Sequence, residues 1–293
     1  MSMLPQTIRN LPCIEAPLAY LAEDACAASY RVWPLTSGRE PESPRKAYYP
    51  CRIFECRSIA IALSLDKDGF VFCSHTTTFS AFLDDVRVKS DYYPELEAFL
   101  KALTGAKAVF VFDHNVRSAS GAALGQVGVR APVDMVHGDY SGPSGARRCR
   151  EVLQTSRYAG LTPSRTMLIN AWRPLRGPVL DLPLALCHAP SVALTDLVAT
   201  PIQHYGEGEL EVPRHSGEIL SVKHNPAHRW FYASSMQADE VLVFKGYDSN
   251  EEVASRFTPH TGFVHPDRPA RFVPRESIEV RAIVIDPALE TSP

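Results

Sequence analysis

A succession of short strand-like segments in the C-terminal half limits most strongly what this chain can fold into. Runs rich in β-branched and aromatic residues, bounded by turn residues, predict about eight strands there. One stretch between them, residues 145–156, has a helical pattern. This order favours an antiparallel double sheet of jelly-roll type, so we predict a mainly β fold with flanking helices. The predicted strands are residues 134–140, 166–172, 191–199, 218–224, 230–233, 240–245, 258–263 and 278–285.

The proline content points the same way. The chain has 24 Pro and 16 Gly among 293 residues, which favours many short elements joined by turns over a helix bundle. Hydrophobic residues make up 45% and charged residues 22%, which excludes a disordered or fibrous chain. We predict a single domain of residues 1–293, in which residues 1–125 form a supporting region and residues 126–290 the jelly-roll core.

The N-terminal supporting region is predicted to contain strands and one helix. Tyr93-Pro94 predicts the start of a helix that runs to about residue 103, with Gly105 ending it. Asp68-Gly69 is a hairpin signal between two apolar runs. The predicted strands here are residues 30–34, 59–65, 69–74 and 106–113, and residues 35–44 are predicted to form a loop.

The net charge and the cysteines indicate which binding partners and which cellular compartment to expect. The net charge is −3 without a run of like charges, so we expect neither a nucleic acid nor a membrane as partner, but a small molecule. Seven cysteines without a Cys-x-x-Cys pair indicate reduced thiols. The N-terminus lacks the pattern of a signal peptide, so a cytoplasmic location is expected. These features leave the oligomeric state open.

A His-x-Asp pair in the first predicted core strand is the strongest candidate for a metal site. His137 and Asp139 are two residues apart, so a strand presents both on one face. The spacing alone is unspecific, because it recurs at His265 and Asp267. A jelly-roll site needs a further histidine from a later strand, and His265 is the last histidine of the chain, whereas His137 has His260 downstream. We therefore predict that His137, Asp139 and His260 are the metal-binding and catalytic residues.

Two histidines and one carboxylate suit Fe(II) that works with a keto acid. The three protein ligands occupy one face of an octahedral ion and leave three positions for a bidentate keto acid and dioxygen. Arg275 and Ser277 share a face at the start of the last strand, and a guanidinium with a hydroxyl fits the distal carboxylate of 2-oxoglutarate. Arg271, Arg281 and Lys245 are alternative cations for this role, although a lysine at a strand end is more often solvated.

Long motifs between Gly69 and Ile285 resemble a known family. The chain is similar to the Fe(II)/2-oxoglutarate-dependent hydroxylases and desaturases of fungal and bacterial secondary metabolism, which include gibberellin desaturase and a cephamycin-methoxylation component. Arg275-x-Ser277 also resembles the Arg-x-Ser pattern of isopenicillin N synthase. The motifs begin at Tyr92 (YYPE), Phe112 (FDHNVR), Val136 (VHGD), Asn170 (NAWRP), Pro183 (PLALC), Phe244 (FKGYDS), Pro259 (PHT) and Pro274 (PRESIEVR).

The resemblance implies a fold, a set of cofactors and a reaction. The implied fold is a double-stranded β-helix, with His137, Asp139 and His260 as iron ligands. The implied cofactors are Fe(II), the co-substrate 2-oxoglutarate and O₂, and the implied reaction oxidises a small secondary metabolite with release of succinate and CO₂. Hydroxylation, desaturation and cyclisation all remain open. His188 departs from the family pattern, because the family has Asp directly after the cysteine that corresponds to Cys187.

Three residues are candidates for substrate binding. Asn170 and Arg173 lie on the strand that follows the metal pair, and alternation allows only one of them to point into the barrel unless the strand has a bulge. Tyr140, next to Asp139, is a candidate for the pocket rim or for the core. Arg117 is either a clamp for a substrate carboxylate or, more simply, part of a salt bridge.

Two rival functions are compatible with the same residues. A cupin-type hydrolase or isomerase uses such ligands without a keto acid, and its activity would not depend on 2-oxoglutarate. A non-catalytic jelly-roll module that binds a ligand would hold no metal at His137 and Asp139.

Overall fold

The structure is a computed structural model that describes residues 10–25, 28–34, 37–126 and 128–287. The first two residues of the predicted loop 35–44 and one of the seven cysteines, Cys26, lie outside the described residues. In the described residues, no helix is long and apolar enough to cross a membrane.

The described residues form fifteen strands and several short helices, which confirms the mainly β fold. The strands are β1 Cys13–Leu21, β2 Tyr30–Val32, β3 Lys46–Glu55, β4 Phe70–Ser74, β5 Ala108–Ser118, β6 Val129–Arg130, β7 His137–Gly138, β8 Thr166–Pro174, β9 Leu184–Cys187, β10 Leu197–Gly206, β11 Glu209–Val222, β12 Trp230–Tyr232, β13 Glu240–Asp248, β14 His260–Gly262 and β15 Glu276–Ile285. The α-helices are α1 Asp85–Arg87, α2 Tyr93–Thr104, α3 Ala119–Ala123 and α4 Gly142–Thr155.

The strands form two sheets that pack face to face. The larger sheet has the order β1-β3-β12-β9-β14-β7-β11-β10-β2, and the smaller sheet has the order β4-β13-β8-β15-β5-β6. Aromatic and aliphatic side chains from both sheets, such as Phe244 and Trp172 from the smaller and Leu186 and Phe231 from the larger, form the core between them. This arrangement is the predicted jelly roll.

The outer face of the smaller sheet is covered by α2. Pro94 lies in the first turn of this helix and Gly105 ends it in a left-handed conformation with φ 59°, so the predicted helix is confirmed. Leu96 and Leu100 are fully buried and belong to the same cluster as Ile278 and other residues of β15. The alternate residues of β15 therefore point into the space between the sheets.

Helix α4 begins three residues earlier than the predicted 145–156. Ser141 caps the helix, since its side chain accepts from the backbone N–H of Ser144 and the Ser144 side chain accepts from that of Ser141. Gly145 packs directly on the ring of Tyr247, where an added Cβ would lie 2.4 Å from ring atoms. The helix is thereby held against β13 and beside the segment that carries Asp139.

Several other predictions need correction. Residues 59–65 do not form a strand; a 3-10 helix spans Arg57–Ala62, and the Asp68 side chain then accepts from the backbone N–H of Ser64 and turns the chain into β4. The predicted strand 191–199 is occupied at its start by two more 3-10 helices, Ala189–Ser191 and Leu194–Asp196, before β10 begins. Strands β1, β3, β6 and β9 lie outside the predicted strands, and β11 is longer than the predicted 218–224.

Candidate metal centre

His137, Asp139 and His260 meet at one point of the larger sheet. β14 pairs with β7 so that His260 lies directly opposite His137, and the two ring centroids are 4.3 Å apart. Nε2 of His137 is 3.9 Å from Oδ1 of Asp139. One possible ligand atom from each of the three residues lies within 4.8 Å of the others.

Backbone contacts fix the orientation of both imidazole rings. Nδ1 of His137 is 2.8 Å from the carbonyl oxygen of Met135, and Nδ1 of His260 is 3.0 Å from that of Thr258. Because a carbonyl only accepts, each Nδ1 carries the proton and each Nε2 is left with a lone pair. Burial, and then the neighbouring His260, lower the pKa of His137 to about 3, so its ring is neutral at physiological pH.

The carboxylate of Asp139 is held in place through one of its two oxygens, Oδ2. Nδ2 of Asn170 donates to Oδ2 of Asp139, and Nε of Arg281 lies 3.6 Å from the same oxygen. Burial alone would raise the pKa of Asp139, but the charges of Arg281, His260 and His137 lower it well below its usual range. Oδ1, which lies 3.9 Å from Nε2 of His137, is therefore the oxygen left for a further ligand, and the carboxylate is ionised.

A second feature of the interior is a buried cation without an anion. Arg275 is only 4% exposed; its Nη1 donates to the carbonyl of Leu182 at 2.6 Å, and its guanidinium lies 5.5 Å from the centroid of Trp172. Within the described part of the chain, Nε of Arg275 and Oγ of Ser277 have no hydrogen-bond partner. Among the described residues no carboxylate lies within 4.0 Å of this guanidinium.

The environment of Arg275 favours binding of an anion. Burial, and next the positive charge of Arg117, lower the pKa of Arg275 to about 10. A buried charge is costly unless it is paired, so an incoming carboxylate would relieve this cost. Gly262 packs closely beside this site, since a Cβ there would lie 3.1 Å from the carbonyl oxygen of Val133 and 3.5 Å from Nη1 of Arg275.

The other cations considered for the distal carboxylate of 2-oxoglutarate either form ion pairs with other residues or are exposed to solvent. Arg281 bonds to Asp113 at 3.1 Å and to Glu279 at 2.6 Å. Arg271 is exposed.

The expectation of a solvated Lys245 is wrong. Its side chain is fully buried, and Nζ lies 2.5 Å from Asp66 and 2.6 Å from Asp248. Arg165 contacts the same two carboxylates. Lys245 therefore belongs to an ion network that joins β13 to the segments that carry Asp66 and Arg165, and its burial is possible because both counter-ions are there.

The structure separates the three substrate candidates. Asn170 points inward and reaches Asp139, whereas Arg173 lies on the opposite face of β8, where it donates to Tyr92 Oη at 3.3 Å and to the carbonyl of His75 at 3.2 Å. Arg173 is thus not brought to the cluster. Tyr140 is half-buried beside Asp139, and burial raises its pKa to about 12.

His188, the departure from the family pattern, lies in a structural contact. Its Nε2 is 2.8 Å from Oδ1 of Asp68, in the turn before β4. His228 is bonded to Asp196 in a similar way, at 3.1 Å. Both are buried histidines with a satisfied ring nitrogen, away from the cluster of His137 and His260.

Sequence reasoning missed the polar network that surrounds the cluster. Asp113, Glu279 and Arg281 are joined by ion pairs on the inner faces of β5 and β15. The signal was present, because Ser277, Glu279 and Arg281 alternate along one strand. Assigning them to the interior requires knowing that α2 covers the other face.

Comparisons with known proteins agree with this geometry. A family model described as "Oxidoreductase/YMDC permease-like domain" matches residues 18–285. The hydroxylase/desaturase efuI of Hormonema carpetanum is 32% identical, over 93% of this chain and 95% of that protein. The Fe(II)/2-oxoglutarate-dependent dioxygenase nvfI of Aspergillus novofumigatus is 30% identical, over 87% of this chain and 89% of that protein. A solved structure of the iron and alpha-ketoglutarate-dependent endoperoxidase NvfI covers 94% of this chain and 99% of its own, with a TM-score of 0.78 and 26% identity.

The residues of this chain fit the cofactors of these relatives. Two imidazoles and one carboxylate are the donor set of non-haem Fe(II) oxygenases, and Arg275 and Ser277, which lack a partner among the described residues, suit a dicarboxylate co-substrate. The relatives favour this class over a cupin hydrolase and over a non-catalytic module, and they confirm the enzyme class and the cofactors expected from the sequence. The chain therefore belongs to the Fe(II)/2-oxoglutarate-dependent dioxygenases, which are oxidoreductases that use Fe(II), 2-oxoglutarate and O₂.

Proposed function

We propose that Nε2 of His137, Nε2 of His260 and Oδ1 of Asp139 hold Fe(II). The observation that carries this assignment is the pair of Nδ1 contacts to backbone carbonyls, which aim both Nε2 lone pairs at a space that Asp139 also borders. Such contacts to the second ring nitrogen are typical of metal-binding histidines. The neutral state of His137 favours metal binding, since a protonated ring would repel the ion.

Arg275 and Ser277 are proposed to bind the distal carboxylate of 2-oxoglutarate. The supporting observations are the buried guanidinium without an ion pair and the buried hydroxyl without a partner, on the same stretch of chain. A guanidinium fork and a hydroxyl together offer three donors to one carboxylate.

The proposed reaction is the oxidation of a small secondary metabolite with release of succinate and CO₂. Bound Fe(II), together with 2-oxoglutarate and O₂, would supply the oxidant that removes hydrogen from an unactivated carbon. The protein positions the co-substrate through Arg275, fixes Asp139 through Asn170, and shields the site with the apolar residues between the sheets. Hydroxylation, desaturation and cyclisation differ in where the reacting carbon is held, and relatives carry the names hydroxylase/desaturase and endoperoxidase.

Tyr140 is proposed to lie at the substrate pocket, because it follows Asp139 and its charge environment includes Arg281. Asn170 is assigned the role of holding Asp139, and Arg173 is left as a structural residue. We also propose that the chain is a single cytoplasmic domain without a nucleic-acid or membrane partner. Both sheets combine strands from residues 1–125 and from the later part of the chain, which supports the single domain.

Three alanine variants test the metal assignment. His137→Ala and His260→Ala are expected to lose Fe(II) binding in anaerobic calorimetry and succinate formation, because each removes one of three ligands. His265→Ala is the matched control and is expected to behave as the wild type, since His265 contacts Tyr232 and Phe263 outside the cluster. Loss of iron in His265→Ala together with retention in His260→Ala would show that the third ligand is wrong.

A further inference from the structure

A buried aspartate in the segment that leads into β9 contacts the main chain of Arg275. Asp181 is 2% exposed, and its Oδ2 accepts from the backbone N–H of Arg275 at 3.1 Å. The carbonyl oxygen of the next residue, Leu182, accepts from Nη1 of the same arginine at 2.6 Å. Two consecutive residues therefore hold both the main chain and the side chain of Arg275.

The segment that makes these contacts is itself attached to the larger sheet. The backbone N–H of His265 donates to the carbonyl oxygen of Asp181 at 2.9 Å. The chain then enters β9, which pairs with β14 from Leu184 onward. Because β14 also carries His260, these contacts connect the position of Arg275 to the strand that carries one of the proposed iron ligands.

Asp181 brings a negative charge close to Arg275 without forming an ion pair with its guanidinium. Among the described residues, no nitrogen of a basic side chain lies within 4.0 Å of the Asp181 carboxylate, and its Oδ1 has no hydrogen-bond partner there. The charge of Asp181 acts against burial, which is the main cause that lowers the pKa of Arg275. An ion pair between the two would have to be broken before another carboxylate could bind. The observed contact instead leaves the guanidinium free for an incoming carboxylate.

We propose that Asp181 is a positioning residue for the co-substrate: its hydrogen bond to the main chain of Arg275 holds the guanidinium where it receives the distal carboxylate of 2-oxoglutarate. This inference rests on the proposed function, because it assumes that Arg275 binds that carboxylate. It gives a role to the residues that lead into the PLALC motif at Pro183, which contributes none of the proposed iron ligands.

Two keto acids separate an effect on Arg275 from a general loss of structure. 2-Oxopentanoate has the same keto acid as 2-oxoglutarate but a methyl group in place of the distal carboxylate. The dissociation constant of each is measured anaerobically with the Fe(II) protein, by calorimetry and from the visible charge-transfer band. Asp181→Leu removes the acceptor at a similar volume, and Asp181→Asn keeps an acceptor. Asp84→Leu is the matched control, because Asp84 also accepts from a backbone N–H at 3.1 Å, that of Arg87 in α1.

Asp181→Leu is expected to weaken 2-oxoglutarate roughly three- to tenfold, because binding must then order a side chain that the free protein no longer holds in place. It should leave 2-oxopentanoate within about twofold, since that molecule has no carboxylate for Arg275. Asp181→Asn and Asp84→Leu should bind both keto acids within about twofold of the wild type, the former because its amide oxygen still accepts from the N–H of Arg275. In an Arg275→Gln background, Asp181→Leu should weaken 2-oxoglutarate no further.

Other outcomes overturn the inference. If Asp181→Leu weakens both keto acids equally, or still weakens 2-oxoglutarate in the Arg275→Gln background, Asp181 serves the fold and does not act through Arg275. Wild-type binding of both keto acids by Asp181→Leu, or equal losses in Asp181→Leu and Asp181→Asn, would exclude the hydrogen bond as the cause. If Asp181→Leu does not fold, Asp181→Glu replaces it, because its longer side chain displaces the main chain of Arg275 and should weaken 2-oxoglutarate alone. The proposed function fails separately if Arg275→Gln leaves the preference for 2-oxoglutarate over 2-oxopentanoate unchanged.

Discussion

Removal of the amide of Asn170 should weaken iron binding without affecting the distal end of the co-substrate site. Asn170 is fully buried, and its Nδ2 donates to Oδ2 of Asp139, the oxygen that does not face the histidines. Loss of such a contact behind a metal ligand typically costs 10- to 100-fold in metal affinity. At about 1.4 kcal/mol per factor of ten, this corresponds to roughly 1.4–2.8 kcal/mol.

Two features of the structure limit how much iron affinity and how much stability Asn170→Ala should lose. Arg281 still lies 3.6 Å from the same oxygen of Asp139, so Asn170→Ala should not abolish binding. Oδ1 of Asn170 has no partner, so alanine also removes an unsatisfied buried acceptor, and the loss in the free energy of unfolding should be about 1 kcal/mol.

The assay is anaerobic calorimetry with Fe(II), with Ser277→Ala as the crossed control. Ser277 is also buried, and it is proposed to bind the distal carboxylate of the co-substrate. Asn170→Ala is expected to raise the Kd for Fe(II) 10- to 100-fold and to leave the KM for 2-oxoglutarate at saturating iron within about threefold. Ser277→Ala is expected to raise that KM and to leave iron affinity unchanged. Wild-type iron affinity in a folded Asn170→Ala protein would refute the positioning role.

Two further predictions concern Arg275 and the buried ion network. Arg275→Ala should raise the KM for 2-oxoglutarate in steady-state succinate assays by at least about tenfold, because a buried charge pair loses one partner, whereas Arg271→Ala should change it little; the reverse result would contradict the assignment. Although burial alone would raise the pKa of Asp66, bonds from Arg165 and Lys245 lower it below its usual value of 3.8, so the stabilisation from this carboxylate is fully present above pH 3.8 and is lost as the pH falls further, through the lower pKa of the folded state. Asp66→Asn should therefore cost about 3–5 kcal/mol in urea unfolding at pH 7 and progressively less as the pH is lowered below 3.8, and a loss that stays constant as the pH falls would exclude the ionic contribution.

The fold class and the proximity of His137, Asp139 and His260 could be predicted from strand patterns and chain order. Alternation along a strand places His137 and Asp139 on one face, and chain order leaves His260 as a partner for them. The pairing of His260 opposite His137 brings together residues more than a hundred positions apart, and only the register of β7 and β14 establishes it.

The remaining errors share a physical cause, which is dependence on contacts between distant segments. Lys245 is buried because Asp66, which lies 179 residues earlier in the sequence, is one of its counter-ions. Residues 59–65 have the composition of a strand, but the bond from Ser64 to Asp68 closes a turn instead. Arg281 was a candidate for the co-substrate until its ion pairs with Asp113 and Glu279 were seen.

The central claim is that His137, Asp139 and His260 hold an iron that binds 2-oxoglutarate, and one spectrum tests it most directly. Fe(II) and then 2-oxoglutarate are added to the protein without oxygen, and the visible metal-to-ligand charge-transfer band is recorded. The wild type and His265→Ala are expected to show a weak band that requires both additions, and His260→Ala is expected to show none. A flat spectrum for the wild type, or an undiminished band in His260→Ala, would contradict the account.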